Sequence, residues 1–162
     1  MIAFKEQQKF TQWWLWLLLI GVGIPPIVGL YQQLIQNKTY SDSSLSMTGL
    51  AIYTIVIVLL IALFLILTLK TEINSQGIHM HYIPFVKKHT AWKDIENVEI
   101  INYGFVGGWG IRWGTDYGTV YNTKGNKGLA ITLKTGKTFV IGSQKEDELI
   151  KVIEKVKSEG LI

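Results

Sequence analysis

Residues 13–35 read WWLWLLLIGVGIPPIVGLYQQLI, a run without a single charge inside a longer uncharged stretch between Lys9 and Lys38. At about 1.5 Å per residue the run makes a helix of about 35 Å. That length crosses the roughly 30 Å hydrocarbon core of a bilayer with some tilt. A second apolar run, Leu50–Leu69, lies between Asp42 and Lys70, which are again the nearest charges on either side. The two runs predict membrane-spanning helices over about 12–36 and 46–69, joined by the polar, serine-rich segment Gln36–Ser46. Lys5 and Lys9 resemble the charged start of a signal peptide, but the run is too long for one and no small-x-small cleavage site follows it.

Outside these runs the composition changes. Of 162 residues, 48% are hydrophobic and only 17% charged, against roughly 25% charged in soluble domains. The shortfall is local. Residues 1–70 hold the lysines Lys5, Lys9, Lys38 and Lys70 and the acids Glu6 and Asp42, while 71–162 hold twelve basic and ten acidic residues, a net of +2. The expected organisation is therefore a transmembrane hairpin over 1–70 and a soluble domain over 71–162. Disorder, a disulfide scaffold (there is no cysteine) and a single soluble domain are excluded.

Lysine placement predicts the orientation. Lys5 and Lys9 precede the first helix and Lys70, Lys87, Lys88 and Lys93 follow the second, whereas the connecting segment has only Lys38. The positive-inside bias puts both termini in the cytoplasm. Trp13, Trp14 and Trp16 sit where an aromatic belt meets the inner interface, together with Lys70, Lys87 and Lys88; Tyr31 and Tyr40 mark the outer side. Asn37-Lys38-Thr39 matches a glycosylation acceptor, a pattern frequent by chance. Pro25 and Pro26 kink the first helix and free backbone carbonyls that need partners from a neighbouring helix or water. Neither span carries an ionisable residue, which argues against an ion pathway built from charged side chains.

The soluble half alternates as strands do. Glu72–Ile78 reads as strand, turn at Asn74–Gly77 and strand, continued by His79–Ile83 and ended by Pro84. Ile95, Val98 and Ile100 are inward-facing candidates. Leu129, Ile131 and Leu133 alternate, as do Phe139 and Ile141, around the turn signal Lys134-Thr135-Gly136. Ser143 with Glu146 fits a capping box, and Leu149, Val152, Ile153 and Val156 then recur at helical spacing up to Gly160. This predicts about seven antiparallel strands and one amphipathic C-terminal helix.

Gly104–Gly118 holds six glycines, and Phe105, Trp109, Trp113, Tyr117 and Tyr121 recur at every fourth position. Glycine disfavours a helix, and even spacing puts all five aromatics on one face of a strand. With Gly107-Gly108-Trp109-Gly110-Ile111-Arg112, Tyr121-Asn122, Gly125-Asn126-Lys127-Gly128 and Ile141-Gly142-Ser143-Gln144-Lys145, the chain resembles bacterial pleckstrin-homology-like membrane proteins, over about residues 70–158. The resemblance implies a mainly-β, PH-like domain, a partly open antiparallel barrel with a C-terminal capping helix. Its first hairpin turn, Asn74–Gly77, has none of the basic residues that pleckstrin domains use on phosphoinositides, and the usual C-terminal helix tryptophan is absent from 144–158.

The candidate binding residues are Trp109, Arg112, Trp113, Tyr117, Tyr121 and Asn122. Arg112 is the only arginine; between two tryptophans it can stack on a ring or bind a carboxylate or phosphate in a fork. The plainer reading is that the aromatics fill the barrel. His79, His81 and His89 suggest a zinc site only weakly, and surface histidines are the simpler account. No phosphate loop, dinucleotide fingerprint or nucleophile elbow occurs, so neither an enzyme nor a cofactor is expected. The basic residues are too scattered for nucleic acid. The expected partners are the lipid bilayer and a protein or a second copy of the chain, in a non-catalytic scaffold. Alternatives are a subunit of a transport or channel-like assembly and a lipid-headgroup sensor.

Overall fold

The computed structural model describes residues 3–35 and 46–162. The Gln36–Ser46 connection, with Lys38, Tyr40 and the acceptor match, lies outside them except for Ser46. The elements in chain order are β1 (Phe4–Lys9), α1 (Trp13–Ile35), α2 (Met47–Ile66), β2 (Thr68–Asn74), β3 (Gly77–Ile83), β4 (Val86–Ala91), a 3₁₀ turn (Trp92–Asp94), β5 (Ile95–Asn102), β6 (Gly110–Thr115), β7 (Gly118–Asn122), β8 (Lys127–Leu133), β9 (Thr138–Gly142) and α3 (Glu146–Ser158). Two compact units result, Thr11–Ile66 and the combination of Met1–Phe10 with Leu67–Ile162. The division differs from the expected cut at residue 70. The first ten residues and Leu67–Lys70 fold with the sheets, because β1 pairs β2 along its whole length, from Phe4↔Ile73 to Lys9↔Thr68. The apolar hairpin is thus an insertion between two neighbouring strands.

In the helical unit both helices are long and apolar enough to cross a membrane. Neither is a core helix: most large apolar side chains of α1 and α2 are exposed within the unit. The buried face of α1 is Leu19, Gly23, Pro26 and Gly29, and that of α2 is Leu50 and Ile57. Gly23 lets the helices approach, since a Cβ there would lie 3.3 Å from Ile57 Cγ2. Proline at 26 has no N–H to give the Val22 carbonyl one turn back. The Tyr53 hydroxyl of α2 donates to that carbonyl instead, at 3.4 Å. The second helix ends at Ile66, three residues short of the apolar run, because Leu67 and Leu69 are claimed by the sheet core.

In the sheet unit β1-β2-β3-β4 form an antiparallel meander, and β5-β8-β9-β7-β6 form a second sheet that is antiparallel except for β7 beside β9. Among the described residues nine strands in two sheets replace the expected seven in a partly open barrel, and no barrel closes. The sheets share a core. Ile73, Ile78, Met80 and Tyr82 are buried from the first sheet, and Tyr121, Leu129, Ile131, Phe139 and Ile141 from the second. The Tyr82 and Tyr121 rings meet at 6.5 Å, and the Tyr82 hydroxyl donates to the Asn122 carbonyl at 3.2 Å. Ile95 and Val98 both point inward despite their three-residue spacing, because a bulge between Ile95 and Asn97 resets the alternation. A smaller cluster of Tyr103, Val120 and Val140 is buried apart from this core, with Ile101, Val106 and Ala130 against it.

The C-terminal helix forms with its stripe inward, Leu149, Ile153 and Val156 being buried. Its expected capping box does not. The helix begins at Glu146 without a side-chain cap. Ser143 Oγ instead donates to Glu6 Oε2 at 2.7 Å and accepts from the Lys145 backbone at 3.1 Å.

Candidate functional site: a basic groove on the first sheet

Alternation sets what the outer face of the first sheet carries. Register places Lys5, Glu72, His79 and His89 in one row across the four strands, and Gln7, Lys70, His81 and Lys87 in the next. Cross-strand neighbours of this kind stand about 5 Å apart. Together the rows line a groove of about 410 Å³. The rows differ in charge. In the first, Lys5 pairs with Glu72 at 3.2 Å, and the rings of His79 and His89 stack at 4.1 Å between centroids. In the second, Lys70 and Lys87 flank His81 with no carboxylate, and neither lysine makes an ion pair among the described residues. The arrangement offers N–H donors and positive charge to an anion. Among the described residues no group of three His, Cys, Asp or Glu is placed to hold a metal ion.

Behind this face two of the three inward side chains of β1 are polar. Glu6, Gln8 and the neighbouring Thr71 are buried. Gln8 Nε2 donates to the Gly142 carbonyl at 2.7 Å, and Gln8 Oε1 accepts from Thr123 Oγ1 at 3.1 Å and Gln144 Nε2 at 3.2 Å. Besides the Ser143 bond, Glu6 accepts from the Gln144 backbone N–H at 2.8 Å. These bonds tie the strand that leads into α1 to the end of β9 and the approach to α3. Lys88 also faces inward, its ammonium 3.4 Å from the Phe139 ring centroid, and burial lowers its pKa, with a smaller push from Lys137.

The aromatic–glycine segment is split by the structure. Its fourth-residue spacing runs across the β6–β7 hairpin, so the five aromatics do not share a face. Phe105 and Trp113 are 86% and 76% exposed, Tyr117 sits in the turn, and Tyr121 is 8% exposed in the core. Trp109, Arg112 and Asn122 do come together. Arg112 Nη2 donates to the Trp109 carbonyl at 2.8 Å, and its Nε is buried with no hydrogen-bond partner among the described residues. A Cβ on Gly108 would lie 2.8 Å from Arg112 Nη2. Trp109 Nε1 donates to the Gly125 carbonyl at 3.3 Å. Asn122 Oδ1 accepts from the Gly110 N–H at 2.9 Å, and its Nδ2 donates to the Tyr103 hydroxyl at 3.1 Å. Arg112 and Asn122 thus hold the Tyr103–Trp109 loop in place.

Of the expected membrane-interface residues, Trp13 and Trp14 are exposed at the start of α1, Trp16 is half-buried, Lys70 and Lys87 are exposed on the groove face, and Lys88 is on the opposite face of its strand. Sequence reasoning missed the groove. Its signal was the basic or polar residue at each alternate position of 70–72, 79–81 and 87–89, but Lys5 and Gln7 join it only once β1 is recognised as a strand. No protein-family model matches the chain, and no curated protein matches it.

Proposed function

We propose that the chain is a non-catalytic, membrane-anchored interaction module of pleckstrin-like build, held at the cytoplasmic face of a bacterial inner membrane. The observation that carries this reading is the insertion of the apolar hairpin between β1 and β2. The exposed apolar flanks of α1 and α2 suit lipid tails and are far larger than an ordinary soluble surface tolerates. The sheet unit is joined to them by two connections that leave neighbouring strands at the paired positions Lys9 and Thr68. Such a double tether holds the sheet unit near the bilayer and raises its effective concentration for partners on the same membrane.

Binding would use the groove, or the unpaired outer edge of β4 or β6 by strand addition. Carbonate washing and density flotation of membranes from cells making the tagged chain test the anchor: the chain is expected to stay with the lipid, and release into the wash overturns it. Cross-linking in the same membranes tests the module. A discrete adduct with another protein, or with a second copy, is expected; a chain that stays unlinked under reagents reaching its groove and edge lysines counts against it.

A further inference from the structure

The strand ends at Lys9, Thr68 and Ile83 are level, since Lys9 pairs with Thr68 and Thr68 with Ile83. Thr68 follows the last residue of α2 by two positions, so it lies at most about 7 Å along the chain from the end of the apolar span. The turn Pro84-Phe85 therefore projects from that same end of the sheet. Phe85 is pinned by its N–H to the Tyr82 carbonyl at 2.8 Å, yet its side chain is 60% exposed. Behind it on the outer face stand Lys9, Lys70 and Lys87, exposed and without acidic neighbours in their rows, whereas the farther row is neutralised by the Lys5–Glu72 pair. The turn at the other end of the sheet, Asn74–Gly77, carries no charge and lies about 20 Å away along the strand, and Lys93, which follows β4 at that end, stands next to Asp94.

We propose that this end is a second membrane contact: Phe85 enters the headgroup zone while Lys9, Lys70 and Lys87 face the phosphates of anionic lipid. The inference rests on the anchor reading of α1 and α2. Aromatic rings favour the headgroup level of a bilayer. Lysines near an anionic leaflet gain from its negative surface potential within about a Debye length. The charge gradient along the sheet gives the contact its direction, basic at the Lys9–Thr68 end and neutral at the Asn74–Gly77 end.

The chain has no cysteine, so Phe85→Cys in the full chain gives a unique fluorophore site, with Gln76→Cys in the distal turn as control. The labelled proteins go into nanodiscs of phosphatidylcholine, alone or mixed with phosphatidylglycerol, and quenching by headgroup-level spin-labelled lipid is read. Position 85 is expected to quench strongly, and more so with phosphatidylglycerol, while position 76 stays in water. Lys70→Gln with Lys87→Gln should remove the phosphatidylglycerol increment, each lysine shifting the docked population by roughly fivefold. Equal, weak quenching at 85 and 76 overturns the contact, as does protection at 85 that depends on chain density rather than lipid, which would point to a second copy. Strong quenching indifferent to phosphatidylglycerol overturns the role of the lysines. A chain that never enters the discs overturns the anchor itself.

Discussion

Gln8 shows most clearly what single residues contribute. It is buried on a strand that carries solvent-facing Gln7 and Lys9, and three hydrogen bonds satisfy its amide. Gln8→Ala removes the side-chain donor to the Gly142 carbonyl, and an unsatisfied buried group costs about 1–3 kcal/mol. Gln7→Ala, one position away and exposed, should stay within about 0.5 kcal/mol of the parent. Thermal melts of both variants in detergent decide it: indistinguishable midpoints would mean that the network carries no stability. Tyr82 offers a pH test. Burial pushes its hydroxyl up to about 12, against a smaller opposing pull from Arg112, and burial also raises Tyr103 and Tyr121. A raised tyrosine favours the folded state while neutral. Its contribution is complete below about pH 10, the unfolded value, and is lost as pH climbs from there toward 12. Absorbance titration of tyrosinate should show a late class that appears together with alkaline unfolding; uniform titration near 10 in the folded protein contradicts the burial.

At the scale of elements, legibility followed the chemistry of the inward positions. The stripe of α3 and the Lys134–Gly136 turn could be read because their buried positions are apolar and their turn residues specific. β1 could not, since two of its three buried residues, Glu6 and Gln8, are polar, so apolar alternation had no signal there. The capping box failed for the same reason: Ser143 faces a carboxylate 137 residues away in sequence that only the fold brings near. The aromatic spacing misled because a period of four is also compatible with a hairpin crossing from one strand to the next. Of the carbonyls that the proline pair frees, that of Val22 accepts from the Tyr53 hydroxyl. Tyr53→Phe keeps the ring and removes that donor. The helical unit should then lose about 0.5–1.5 kcal/mol, the usual worth of an interhelical hydrogen bond in a membrane. Steric-trap or thermal unfolding in lipid measures it, with Tyr31→Phe, remote from the proline carbonyls in sequence, as the comparison.

For the whole molecule, the insertion decides what can be separated from what. Cutting at residue 70 removes β1 and the first three residues of β2, and with them the buried Phe4, Leu69, Glu6 and Gln8. A fragment 71–162 would expose Met80 and Ile73 along a bare edge and lose every bond from Glu6 and Gln8 to Ser143, Gln144 and Gly142. It is expected to aggregate or remain unfolded. The register suggests the correct cut. Lys9 and Thr68 are already cross-strand partners, so Phe10 and Leu67, both buried, can be kept and joined by Asn-Gly, the pair that closes a two-residue hairpin with matching twist. The resulting chain, 1–10 linked to 67–162, should be soluble, rich in β-structure by far-ultraviolet circular dichroism, and unfold in one cooperative step. Because it keeps the complete sheet core, its melting should respond to Gln8→Ala as the full chain does. If the joined chain fails to fold while 71–162 folds alone, then β1 is an accessory strand and the hairpin is an anchor hung on a self-sufficient domain rather than an insertion into one.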